Sequence, residues 1–107
     1  MKVVRLKPYL RAMKSMGIDE GALAAFERSL AAAPEAHPVI RGARKARFSR
    51  PGTGKRGGGR AIDYVLLDDG PLAMLTAYPK NEKGDLTTED RRAILRAIAM
   101  IDGGDLT

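Results

Sequence analysis

Arg60-Ala61-Ile62-Asp63-Tyr64-Val65-Leu66-Leu67 is followed by Asp68-Asp69-Gly70-Pro71 and then by Leu72-Ala73-Met74-Leu75-Thr76-Ala77-Tyr78. The outer runs are rich in β-branched, aromatic and aliphatic residues, which fit a pleated, half-buried surface. Asp-Gly between such runs is a strong hairpin signal, so the stretch reads as two antiparallel strands. Working back, Pro51 to Gly59 is a Gly/Pro-rich loop. Before it, about Ala43 to Ser49 alternates Ala46 and Phe48 with Lys45 and Arg47, giving the first strand of a three-stranded meander. The stretch between that strand and the preceding helix reads as irregular.

Val3, Val4 and Leu6 form a short opening strand, and Pro8 suits the first turn of a helix over residues 8–16 that Gly17 ends. Asp19 is the expected N-cap of a second helix reaching about Ala33, with Leu23, Phe26 and Leu30 on one face and Pro34 as its stop. After the meander, Thr87-Thr88-Glu89-Asp90 resembles a capping box with Asp in the reciprocal position. It opens a helix to about Met100 lined by Ile94, Ala97, Ile98 and Ile101, and Gly103-Gly104 closes it. The order strand, two helices, three strands, helix predicts one α+β domain over residues 1–107, with residues 102–107 a loose tail. Its sheet is expected to be antiparallel, with all three helices on one face and basic strands exposing the other.

Composition narrows the function. Without cysteine there is no disulfide, thiolate metal site or cysteine nucleophile, and with His37 as the single histidine a zinc site is not expected. No cofactor is expected either. No apolar run approaches the ~20 residues of a membrane span, and Met1-Lys2-Val3-Val4-Arg5 carries charge where a signal peptide is apolar. The expected compartment is the cytoplasm. The chain holds 19 Lys+Arg against 13 Asp+Glu, a net +6. Arg41, Arg44, Lys45, Arg47, Arg50, Lys55, Arg56 and Arg60 fall within residues 41–60, which contain no acid, leaving 11 basic against 13 acidic residues elsewhere. One short stretch therefore supplies the whole excess, as expected for a polyanionic partner.

Several motifs resolve into ordinary roles. Gly52-Thr53-Gly54-Lys55-Arg56-Gly57 matches G-x-G-x-x-G, but a strand follows it where a dinucleotide site needs a helix. It reads as a glycine loop carrying two cations. His37, between Ala36 and Pro38, reads as a solvated connection residue, and Asp68 and Asp69 as turn residues. The informative group is cationic. Lys45 and Arg47 share one strand face by the two-residue period, while Arg44 and Phe48 take the other face or its edge. Arg60 opens the next strand and Lys80 closes the last, so a meander would gather these cations on one concave surface.

The run Arg44-Lys45-Ala46-Arg47-Phe48, the loop Gly54-Lys55-Arg56-Gly57-Gly58, Arg60 with Tyr64, then Tyr78-Pro79-Lys80-Asn81-Glu82-Lys83 and Asp85-Leu86-Thr87, resembles the HigB branch of the RelE superfamily of toxins. The similarity spans residues ~39–100 as several short motifs in order. It implies a metal-independent endoribonuclease that cleaves mRNA in the ribosomal A site. It also implies a cognate antitoxin, typically a helix-turn-helix DNA-binding protein, that silences it. Carried over by position, it implies catalytic roles for Lys45, Arg47, Arg60 and Lys80, and RNA contacts from Arg44, Lys55, Arg56, Tyr64, Tyr78 and Asn81. Asn81 stands where RelE-type relatives often have arginine, and Asp63 where HigB-type relatives often have an aromatic residue.

With such residues, cleavage would use the RNA's own 2′-hydroxyl in line with the scissile phosphorus. Arginine is too firmly protonated to act as base. Lys45 or Lys80 would accept the proton, Arg47 and Arg60 would stabilise the phosphorane, and the other lysine is a candidate leaving-group acid. Two other readings use the same surface: a non-catalytic RNA- or ribosome-binding protein, with only Phe48, Tyr64 and Tyr78 available for stacking, and a gyrase inhibitor like the ParE branch of the superfamily.

Overall fold

The computed structural model describes residues 3–31, 37–50, 58–65, 72–80 and 85–103. Along the chain run β1 (Val3–Arg5), α1 (Lys7–Ser15), α2 (Glu20–Ala31), β2 (His37–Ile40), β3 (Ala43–Phe48), β4 (Gly59–Val65), β5 (Leu72–Pro79) and α3 (Thr88–Asp102). The class is α+β, and the elements follow the expected order. The Asp68-Asp69-Gly70 turn lies outside the described residues, but β4 and β5 pair antiparallel as its two arms should.

Three features of the sheet differ from the expectation. It has a fifth strand, in the order β1-β5-β4-β3-β2. The added strand, β2, holds His37 and Pro38, which reads as a connection because proline cannot serve a central ladder. At the edge of the sheet proline is tolerated. β2 turns into β3 through Arg41 and Gly42, both at positive φ (51° and 86°), as a two-residue hairpin of the primed kind requires. Arg-Gly is a far weaker signal for that turn than Asn-Gly.

The second difference is direction: β1 pairs parallel to β5, Val3 opposite Leu72 and Arg5 opposite Met74, so the sheet is mixed. The third is cover: the helices lie on both faces. Tyr9, Met13 and Met16 of the α1 segment, with Leu23 and Leu30 of α2, pack with Ala61, Leu72, Met74 and Ala77. Ile94, Ile98 and Ile101 of α3 pack with Ile62, Ala73, Leu75 and Tyr78. Alternate residues of β5 thus serve opposite cores. A central strand buried on both faces needs cover on both, and Leu72-Ala73-Met74-Leu75, buried throughout, is such a run. A register shift separates the Ile62–Thr76 and Asp63–Met74 pairs. Leu75 is the extra residue, so Leu75 and Thr76 both serve the α3 side.

Local signals set the helices. Gly17 (φ 77°) follows α1, with Ile18 N–H donating to Met13 C=O and Gly17 N–H to Lys14 C=O at 3.0 Å each, a Schellman closure. Asp19 caps α2 through Ala22 N–H at 2.8 Å. The Thr87–Asp90 capping box forms in both directions at 2.9 and 3.0 Å. β1, α1 and α2 are joined at Glu27, which is 3 % exposed. Arg5 grips its carboxylate through Nη2 and Nε at 2.7 and 2.9 Å, and Tyr9 Oη donates to it at 2.9 Å. Burial and that bond push the Tyr9 phenol well above its ordinary range.

Candidate functional site

The strand period places Lys45 and Arg47 on the face shared with Ala43 and α3. The β3–β4–β5 register then aligns three side chains in a row: Arg47 opposite Arg60, and Arg60 opposite Tyr78. Directly opposed like charges on adjacent strands destabilise a sheet. Among the described residues neither Arg47 nor Arg60 has a carboxylate within ion-pair distance. Arg60 Nη1 donates to its neighbour Gly59 C=O at 3.0 Å. Such an uncompensated pair is suited to an external anion. Beneath it the Phe48 ring lies over Gly59 and occupies the space a Cβ there would need.

Lys45 lies one step along, opposite Ile62, with its Nζ 4.0 Å from Asp85 Oδ1. Arg91 Nη2 lies 3.8 Å from Asp85 Oδ2. Tyr78 is buried, and burial pushes its phenol up, with the Asp85 charge adding to that shift and the Arg60 charge opposing it. Lys80 is exposed just past β5, and its N–H donates to Gly58 C=O at 3.0 Å. That bond extends the ladder by one step, so alternation carries Lys80 to the Tyr78 side. On β2, His37 stands opposite Lys45 in the backbone register, in a strand instead of a connection.

The structure therefore brings Lys45, Arg47, Arg60 and Tyr78 to one face, with Lys80 at its margin. Two residues to which the resemblance gives RNA contacts lie apart from this face, Arg44 as strand parity predicts and Tyr64 by distance. Arg44 points to the α1/α2 side, where its Nε and Nη2 each bond an Asp63 oxygen at 2.9 Å. Asp63 is 1 % exposed, and burial outweighs the Arg44 interaction to raise its carboxyl. The aspartate is thus the buried partner of a strand arginine on the reverse face, away from the cationic row. Tyr64 lies four residues along β4 from Arg60, roughly 13 Å at strand rise. Its Oη bonds Asp102 Oδ1 at 3.0 Å, which raises its phenol and ties down the C-terminal end of α3. Lys55, Arg56 and Asn81 lie outside the described residues, as does the glycine motif of residues 52–57.

Asp85 and Arg91 were not singled out as site residues from the sequence. Their signal is modest: an aspartate two positions before a helix N-cap, and an arginine one turn into that helix, both reaching the sheet only because α3 crosses it. Among the described residues no helix is long and apolar enough to cross a membrane. No protein-family model matches the chain.

Proposed function

We propose that the protein is the toxin of a toxin–antitoxin pair, a ribosome-dependent mRNA endoribonuclease of the RelE/HigB kind. The observation supporting this reading is the row of Arg47, Arg60 and Tyr78 beside Lys45, with two guanidinium groups opposed and, among the described residues, without a carboxylate in ion-pair distance. That arrangement suits the transient extra charge on a phosphodiester under attack. The RNA 2′-hydroxyl attacks the adjacent phosphorus, the P–O5′ bond breaks, and the products carry a 2′,3′-cyclic phosphate and a 5′-hydroxyl. Arg47 and Arg60 hold the nonbridging oxygens, and Lys80 at the margin protonates the leaving oxygen. The ribosome supplies substrate orientation. An antitoxin neutralises the protein by covering the positive face with acidic and apolar segments.

Mapping mRNA ends after incubation with translating ribosomes tests the reading. Wild type is expected to cut within codons, and Arg60→Ala and Arg47→Ala to cut at least about 100-fold more slowly. Lys80→Ala should also slow the reaction. Undiminished cleavage by all three variants removes these residues from the mechanism. Ribosome binding without cleavage by wild type would instead mark a binding protein, and DNA damage on expression a gyrase inhibitor.

A further inference from the structure

Asp85 precedes the cap of α3 by two residues, its side chain 69 % exposed. Its Oδ1 accepts the Leu86 N–H at 2.8 Å, which fixes the carboxylate relative to the helix start. Lys45 and Arg91 border it at 4.0 and 3.8 Å. Both separations exceed the roughly 2.7–3.2 Å of an N–H···O bond, so the cations flank the carboxylate without saturating its oxygens. Lys45 precedes Arg47 by two residues on β3 and shares its face, so the carboxylate beside Lys45 lies one step along from the arginine row.

Four other described carboxylates are committed elsewhere. Asp63 and Glu27 are buried and paired on the α1/α2 side. Asp102 is bonded to Tyr64 at the far end of α3, and Asp90 closes the helix cap. Lys45, set beside a carboxylate, is arranged as an ammonium that holds phosphate or gives up a proton.

We propose that Asp85 is the proton acceptor for the attacking 2′-hydroxyl, an assignment that rests on the ribonuclease reading above. The O2′–H proton passes to an Asp85 oxygen as the O2′–P bond forms. The P–O5′ bond breaks, and O5′ takes a proton from a lysine ammonium. Asp85 then returns its proton to water. This leaves Lys45 and Lys80 to anion binding and leaving-group protonation.

Single-turnover cleavage on programmed ribosomes compares wild type with Asp85→Asn, Asp85→Glu and Asp85→Gly. Asp85→Asn is expected to cleave at least about 100-fold more slowly. Its half-saturating concentration should stay within about threefold of wild type, because the lost interaction belongs to the transition state. Asp85→Glu should retain most of the rate, and added formate should accelerate Asp85→Gly. His37→Asn is included because His37 pairs with Lys45 in the backbone register, and it should leave the response of the Asp85 variants unchanged. Three results overturn the assignment: Asp85→Asn cleaving as fast as wild type or faster, a defect confined to half-saturation, or no response of Asp85→Gly to formate. Active wild type with active Asp85→Asn removes Asp85 alone. Inactive wild type removes the ribonuclease reading and this inference together.

Discussion

Glu27 illustrates how much can rest on one side chain. Its carboxylate is the common acceptor for Arg5 of β1 and Tyr9 of α1. Removing it leaves the buried Tyr9 phenol without its acceptor and Arg5 with only the exposed Glu20. Glu27→Ala is expected to cost about 3 kcal/mol, the usual scale for breaking a buried pair from one side. Glu20 bonds the same arginine from a side chain that is 73 % exposed, and Glu20→Ala should cost less than about 1 kcal/mol. Urea denaturation of the two variants measures the contrast, and equal losses would show that burial does not set the value of this network. The burial of Glu27 was half legible in the sequence. It shares the helical spacing of Leu23 and Leu30, which places a carboxylate on an apolar face, but the partner that makes this tolerable is 22 residues away. Asp63 was misleading for a related reason: it stands three residues past Arg60, and the parity of the ladder sends it to the reverse face with Arg44.

At the level of elements, helix ends and strand arms were readable because their causes are local. Asp19, Gly17 and the Thr87–Asp90 box act within four residues of themselves. Thr87→Ala removes the hydroxyl that accepts Asp90 N–H, and about 1 kcal/mol of stability should go with it, read by urea or thermal denaturation. The loss bears on the site as well, because the first turn of α3 carries Arg91 and follows Asp85. What escaped the sequence were features decided between elements: β2, hidden by Pro38 and a weak Arg-Gly turn, and the side on which α3 packs. The cationic row was legible in its β3 and β4 members, since Lys45, Arg47 and Arg60 follow from strand parity. The contribution of α3, Asp85 and Arg91, depended on tertiary packing and was not.

For the molecule as a whole, the three tyrosines share a direction: Tyr9, Tyr64 and Tyr78 are each held above the ordinary phenol value of 10.0. In Tyr9 and Tyr78 the leading cause is burial, and in Tyr64 the bond to Asp102. A raised phenol means that the folded state keeps protons the unfolded chain releases. Their contribution to stability is therefore full below pH 10.0 and declines as pH rises above it. Ultraviolet titration should show little tyrosinate before that point and then a rise together with loss of structure. A free-tyrosine curve in the intact fold would contradict the packing of all three. The parallel seat of β1 beside β5 has a consequence for biogenesis. Residues 3–5 are made well before their ladder partners, residues 72–74. β1 waits for β5 while the intervening elements are synthesised, and closing so long a loop is the kind of late, entropically costly step that slows folding.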